Sequence, residues 1–123
     1  GEFHFALAAD GALFITDSGN HIVQRWLPGA SEGTTVAGGN GQGPGQAQLS
    51  SPAGLALAAD GSLFIADAGN SRVQRWAPGA SEGTTVGGRK RWRLWPPSGL
   101  ALAADGTLFI ADSGNRRIQT LAP

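Results

Sequence analysis

The strongest constraint on this chain is an internal repeat that accounts for most of its 123 residues. The stretch 52–76 reads PAGLALAADGSLFIADAGNSRVQRW, and closely similar text occupies 5–26 and 99–121. A repeat of 20 to 50 residues indicates an array of supersecondary units, each of which buries its apolar face against its neighbours. The fold must therefore be built by stacking three similar units.

Each copy has the pattern of a meander of short strands. In copy one, bulky residues alternate at Phe3, Phe5 and Leu7, the period-two pattern of a strand. Asp10-Gly11 follows and is typical of a two-residue hairpin turn, because glycine tolerates positive φ. Three further strands are predicted over 12–16, 21–27 and 33–37. Copy two repeats all four strands, whereas copy three has only three.

We predict a single domain over 1–123, made of repeat 1 (1–51), repeat 2 (52–97) and an incomplete repeat 3 (98–123). Four antiparallel strands per copy favour an all-β fold of β-propeller blades, with the first strand of each blade nearest the axis. A parallel β-helix is the alternative, but its repeat is usually shorter and hairpin turns favour antiparallel strands. The residues expected to pack between blades are Leu55, Leu57, Leu63, Ile65, Val73 and their equivalents.

The repeated text resembles the NHL repeat in its Asp-Gly turn, its apolar-Ala-Asp strand end, its Gly-Asn-x-Arg segment and its apolar-Gln-x-aromatic strand. The resemblance extends over nearly the whole chain. It implies a six-bladed propeller, of which this chain would supply two full blades and an incomplete third. Three blades leave a ring open and expose apolar faces. We therefore expect a protein partner, a second copy or further blades of a longer chain to cover them.

Composition excludes several classes of function. Lys plus Arg and Asp plus Glu are equal at 9 each, so no net charge draws the chain to nucleic acid or to a membrane surface. Without Cys there is no disulfide or thiolate metal site, which leaves the redox compartment open. No apolar run approaches the ~18 residues of a membrane span, and no signal peptide is visible. Because position 1 is not Met, we expect a processed chain or an excerpt, and the compartment stays unassigned.

Acidic residues recur in two turns of each copy. Asp10, Asp60 and Asp105 precede glycine, where turn construction explains them. The second turn, Asp-x-Gly-Asn, offers carboxylates that could bind a cation, but each turn supplies only one. We favour a structural role, with the Asp paired to an Arg of its own repeat in copies two and three. The predicted structural residues are Asp17, Asn20, Asp67, Asn70, Arg72, Asp112, Asn115 and Arg117.

The inventory of catalytic groups is sparse. The resemblance allows for a metal site, because some NHL-like propellers are metal-dependent lyases with His ligands. In this sequence His4 and His21 are the only His, and neither recurs in the other copies. No nucleophile elbow or phosphate-binding loop is present. We therefore predict no catalytic, cofactor or metal residues and no evident small-molecule substrate. Trp26 and Trp76 recur at one strand position and are interpreted as buried anchors rather than base-stacking platforms.

The repeat breaks at one basic segment after copy two. Basic side chains beside Trp could bind RNA or form a protein contact, and the simplest interpretation is a solvated loop that arose by an accident of reading frame. The interaction candidates are Arg89, Lys90, Arg91, Trp92, Arg93 and Trp95. We predict a non-enzymatic scaffold or protein-interaction module, peripheral to a larger assembly. RNA binding through 89–95 and a metal-dependent lyase or hydrolase fragment are the alternatives.

Overall fold

The computed structural model describes residues 3–88 and 96–123, which form three antiparallel sheets. Blade 1 contains β1 (Phe3–Leu7), β2 (Leu13–Asp17), β3 (Ile22–Trp26) and β4 (Thr34–Gly38). Blade 2 contains β5 (Leu55–Leu57), β6 (Leu63–Asp67), β7 (Arg72–Trp76) and β8 (Thr84–Gly88). Blade 3 contains β9 (Pro97–Leu102), β10 (Leu108–Asp112) and β11 (Arg117–Leu121). Two full blades and an incomplete third are confirmed, and the antiparallel pairing rules out the β-helix.

The first hairpin of each blade differs from the sequence prediction. The Ala8 N–H donates to the Ala12 carbonyl and the Gly11 N–H donates to the Ala8 carbonyl, so the loop has three residues rather than two. Only Gly11 has positive φ, at +90°, which is the glycine position of a type I turn followed by a bulge. The Asp10 carboxylate stabilises this longer turn by accepting from the Ala12 N–H at 2.9 Å.

The second turn of each blade is a single turn of 3-10 helix, and a left-handed residue closes it. These turns are Ser18–Asn20, Ala68–Asn70 and Ser113–Asn115. The closing residues are not glycine: His21 has φ +58°, Ser71 +51° and Arg116 +52°. Their N–H groups donate back to the first carbonyl of the turn, which compensates for the strained backbone. The following strand therefore starts one residue later than its apolar pattern predicts.

Each blade has two unlike faces. The leading face, directed at the preceding blade, carries large residues, which in blade 2 are Leu55, Leu57, Leu63, Ile65 and Trp76. The trailing face is directed at the following blade. In blade 2 this face carries only the small Ala56 on its first strand and is completed by Phe64, Val73 and Val86. The leading face of blade 2 packs against the trailing face of blade 1, and the same contact recurs between blades 2 and 3. The predicted packing between blades is confirmed.

The first strands of the three blades lie side by side, as expected for strands nearest a propeller axis. Gly54, just before β5, approaches blade 3 so closely that its N–H donates to the Ser98 carbonyl at 2.7 Å. A Cβ on Gly54 would lie 2.7 Å from that carbonyl oxygen and 2.8 Å from the Gly99 Cα. Glycine at this position therefore sets how closely blades 2 and 3 approach each other.

Candidate functional site

The most elaborate polar site lies at the second turn of blade 2, where Asp67 and Arg72 are both fully buried. The Arg72 Nε donates to Asp67 Oδ2 at 2.7 Å, and the Asn70 amide donates to the same oxygen at 2.8 Å. The second carboxylate oxygen, Oδ1, accepts from the Ser50 N–H at 2.7 Å. Both oxygens of Asp67 are thus occupied by donors from the protein itself.

The rest of the Arg72 guanidinium holds the glycine-rich segment 38–51. Its Nη1 donates to the Pro44 carbonyl at 2.9 Å, and its Nη2 donates to the Gly45 and Gln48 carbonyls, each at 2.9 Å. Leu49, the only large apolar residue of this segment, is buried between blades 1 and 2. Because charge-assisted bonds are stronger than neutral ones, Arg72 fixes a segment whose composition alone predicts a loose loop.

The equivalent turns of the other blades are less complete. In blade 1 the Asn20 amide donates to Asp17 Oδ2 at 2.7 Å, and Ile22 stands where the arginine would be. In blade 3 the Arg117 Nε donates to the buried Asp112 at 3.0 Å, but the Arg117 side chain is 48% exposed. Asn115 also donates to Asp112, at 3.0 Å. Of the three turns, the one in blade 2 has both its aspartate and its arginine buried, and we refer to Asp67 and Arg72 as the polar clamp.

No group of three or more metal-ligating side chains that could hold an ion occurs in the described ranges 3–88 and 96–123. His4 is on β1, whereas His21 follows the 3-10 turn and accepts from the Ser51 N–H through its Nδ1 at 2.9 Å. The two imidazoles therefore serve separate local structures. The interaction candidates Arg89, Lys90, Arg91, Trp92, Arg93 and Trp95 lie outside the described residues, and their role stays a prediction.

Two cavities lie where the blades meet. One of about 370 Å³ between blades 1 and 2 has an apolar wall that includes Phe14, Leu63 and Trp76. The ion pair between Arg25 and Asp10, at 3.5 Å, lies at its border. The other, about 930 Å³, is an open depression over the Asp-Gly hairpins of the three blades. Neither lining set includes a His, Ser or Cys among the described residues, so neither supplies a nucleophile paired with an imidazole base.

The leading face of blade 1 is open to solvent. Phe3, Phe5 and Leu7 are 55%, 60% and 72% exposed. At the same positions of blade 2, Leu55 is buried and Leu57 is partly buried against blade 1. A row of three large apolar side chains on one strand is an uncommon surface for a soluble monomer.

The trailing face of blade 3 is open in the same way. Phe109 and Ile118 are 41% and 63% exposed, whereas Val73, the counterpart of Ile118, is fully buried against blade 3. The two outer faces thus carry large apolar residues at positions equivalent to those that form the internal contacts. Sequence reasoning anticipated open faces but did not name these residues; their equivalence to buried positions of repeat 2 is the signal that identifies them.

The paired tryptophans show the same difference. Trp76 is buried and its Nε1 donates to the Ala80 carbonyl at 2.9 Å. Trp26 belongs to the open leading face, is only half-buried, and donates to Gln24 Oε1 at 3.3 Å. The anchor interpretation describes Trp76, whereas Trp26 lacks the covering blade.

The sequence profile of the NHL repeat matches residues 49–76 and 94–121, which fall on the second and third copies. Two of the three copies thus match the NHL repeat. Each match runs from just before the first strand of its blade to the end of the third strand. The NHL repeat therefore coincides with the hairpin, the Asp-x-Gly-Asn turn and the strand that carries the Trp or Leu anchor. No curated protein shows detectable sequence similarity to the chain.

Solved structures similar to these NHL repeats show the same fold in larger proteins. A streptogramin B lyase superposes with a TM-score of 0.66 at 12% identity, covering 97% of this chain and 39% of the lyase. A virginiamycin B lyase from Staphylococcus aureus gives 0.65 at 18% identity, covering 97% and 40%. A candidate phosphatase from Bacteroides thetaiotaomicron gives 0.74 at 17%, covering 98% and 34%. The chain thus spans about two fifths of the length of these lyases.

Among the described residues, no helix is long and apolar enough to cross a bilayer.

Proposed function

We propose that this chain is a non-enzymatic propeller segment that acts as a protein-interaction module through its two outer blade faces. One observation carries the proposal: Phe5 is 60% exposed, whereas Leu55 at the same position of blade 2 is 6% exposed. The sequence thus places a core residue at a surface position. Each Phe, Leu or Ile transferred from water into a contact contributes about 1.5–3 kcal/mol.

The chemistry of the two faces defines the kind of partner. Both faces are formed by strands and carry exposed apolar side chains, Phe5 and Leu7 on one face and Phe109 and Ile118 on the other. Inside the chain, the equivalent faces of neighbouring blades are packed against each other, sheet on sheet. The partner is therefore a protein that presents an apolar sheet face, as in other sheet-on-sheet contacts.

Size-exclusion chromatography with light scattering on the purified chain tests the proposal, together with circular dichroism to verify the β fold. The expected result is a folded chain that associates, and an association that weakens when Phe5→Asp places a charge on the leading face. A folded chain that stays at 12.5 kDa at every concentration would overturn the proposal, because its faces would then need no partner.

An enzymatic role has one observation in its favour, the likeness of the fold to streptogramin B lyases at 12–18% identity. A likeness at this level supports the architecture and not the chemistry. One of the lyase structures contains quinupristin, which makes that compound the natural probe. Mass spectrometry of quinupristin incubated with the chain and a divalent metal ion should show unchanged compound, and conversion would contradict a purely non-enzymatic module.

RNA binding through 89–95 is favoured by the sequence of that segment, four Arg or Lys beside two Trp. Filter binding across a salt series measures it, since phosphate contacts make affinity fall with salt. Replacement of Arg89, Lys90, Arg91 and Arg93 by Ser should weaken binding if the segment holds RNA. Unchanged affinity would remove this candidate.

A further inference from the structure

We propose that the partner is a second copy of this chain, docked head to tail so that two chains close a single ring of six blades. This inference rests on the proposed function and names the occupant of both open faces. In the closed ring, the leading face of each blade 1 would cover the trailing face of the other chain's blade 3. The two contacts of the ring would be identical.

The two blade contacts inside the chain supply the template for this docking. Between blades 1 and 2, Leu55, Leu63 and Ile65 of the leading face pack onto the trailing face of blade 1. Between blades 2 and 3, Leu108 and Ile110 take the places of Leu63 and Ile65. The fold therefore uses one kind of interface twice, always leading face on trailing face.

The chain leaves one face of each kind without a covering blade. Leu13 and Ile15 of blade 1 occupy the positions of Leu63 and Ile65 but are only half-buried. On blade 3, Phe109 and Ile118 occupy the positions of Phe64 and Val73, which are buried or half-buried against the next blade. In a second copy, the open trailing face of blade 3 can cover the leading face of blade 1, and its open leading face can cover the trailing face of blade 3.

Side-chain volume disfavours docking of like faces. On the first strand of each blade the leading face carries Phe or Leu, and the trailing face carries Ala at the interleaved positions Ala6, Ala56 and Ala101. Leading on trailing therefore places large residues over small ones, as the internal contacts do. Leading on leading would oppose Phe5 and Leu7 to their own copies, which overpacks the contact.

The number of blades is compatible with a closed ring of two chains. A heterologous contact either closes into a ring or propagates as an open filament. Propellers close with about four to eight blades, and two chains of three blades supply a number inside that range. A closed pair covers all four outer faces, whereas a filament always leaves one face open at each end.

Light scattering on paired face variants tests the arrangement. The unmodified chain should reach twice its 12.5-kDa mass and no more. Phe5→Asp on the leading face and Ile118→Asp on the trailing face should each give monomers, because every contact of the ring uses both faces. Ser31→Asp is the matched control, since Ser31 and its counterpart Ser81 are both exposed outside the two faces.

Mixing the two variants distinguishes head-to-tail docking from its alternatives. Phe5→Asp retains its trailing face and Ile118→Asp retains its leading face, so an equimolar mixture should form a 1:1 dimer through one intact contact. Recovery of the dimer only on mixing supports the inference. If only one of the two variants gives monomers, the chains dock through like faces. If the mass grows beyond two chains, they form a filament. Either result overturns the inference.

A tandem fusion of two copies keeps the test decisive if a charged variant fails to fold. The fusion should be a monomer that does not associate further on concentration, because its six blades satisfy one another. Association of the fusion would contradict closure while leaving the proposed interaction module intact. A folded monomeric single chain would contradict both proposals, whereas association of the fusion contradicts closure alone, so the two failures are distinguishable.

Discussion

Blades 1 and 2 have nearly the same sequence and very different surroundings. Ile65 is fully buried, whereas Ile15 at the same position of blade 1 is half-buried. Trp76 is buried and Trp26 is not. The difference arises because blade 2 has a neighbour on both sides and blade 1 only on one. Local sequence therefore determines what a blade can bury, and the number of neighbours determines what it does bury.

The same comparison extends to the polar clamp. In blade 2 the arginine is enclosed by carbonyls of the segment that leads into the blade, and in blade 3 the equivalent Arg117 is half exposed. Asp–Arg pairs at equivalent positions of the repeat can thus contribute different amounts to the free energy of unfolding. Desolvation decides the outcome, because a buried charge that loses its partner cannot recover its hydration.

The largest effect is expected from removal of the buried arginine. Arg72→Ala leaves Asp67 buried without its cation and releases three loop carbonyls, so the free energy of unfolding should fall by about 3–5 kcal/mol. Arg117→Ala, the matched variant in blade 3, should cost less, about 1–3 kcal/mol, because Arg117 is half exposed, although the buried Asp112 carboxylate loses a donor. Urea denaturation of both variants at one chain concentration measures the contrast. Equal costs would show that the clamp in blade 2 is no different from its counterpart.

The next effect compares isoleucines of blades 1 and 2. Ile65→Ala empties a fully buried position and should cost about 2–5 kcal/mol, whereas Ile15→Ala should cost about 1 kcal/mol in dilute solution. The difference between the two costs in unfolding free energy should become smaller at concentrations where the chain associates, because the leading face of blade 1 is then covered. Denaturation at two chain concentrations measures this change. A cost for Ile15→Ala that is independent of concentration would separate that residue from the association.

A smaller effect is expected at the approach of blades 2 and 3. Gly54→Ala places a Cβ against the backbone of Ser98 and Gly99 and should cost about 1–3 kcal/mol. Gly99→Ala is the control, because its Cβ would meet only the Ala111 Cβ at 3.8 Å, an ordinary contact. Thermal unfolding compares the two variants. Equal melting temperatures for the two variants would show that Gly54 does not limit the spacing of the blades.

The smallest effect is an acid dependence from the hairpin turns. The Ser62 N–H bond to Asp60 and the Thr107 N–H bond to Asp105 lower the pKa of each carboxyl below its ordinary value of 3.8. A lowered pKa adds stability that is present above the ordinary pKa and is lost as the pH falls through the folded-state pKa. The urea midpoint should therefore be level near neutrality and should decline below about pH 4. Asp60→Asn with Asp105→Asn should flatten this decline.

Sequence reasoning recovered the blades because strand alternation and repeat length are local properties. It placed the residues between blades correctly because Leu55, Ile65 and Val73 recur with the strand period. It missed the three-residue hairpin, since Asp-Gly serves both a two-residue turn and a turn followed by a bulge. It also did not anticipate left-handed Ser71 and Arg116, whose residue types carry no such preference.

The candidate site was less predictable. The Asp-x-Gly-Asn pattern identifies the residues of the clamp, but only tertiary packing brings the carbonyls of Pro44, Gly45 and Gln48 to Arg72. The open faces follow from blade count rather than from any motif. Phe5 and Leu55 look alike in the sequence, and the difference between them is the presence of a neighbouring blade.

Side-chain footprinting by hydroxyl radicals, with readout by mass spectrometry, tests the central claim most directly, because it measures the exposure of named residues. With increasing chain concentration, oxidation of Phe5 and Ile118 should fall together, while Leu55 and Val73 stay protected throughout. The midpoint of this protection should coincide with the doubling of mass. Rapid oxidation of Phe5 and Ile118 at every concentration of the folded chain would contradict the account.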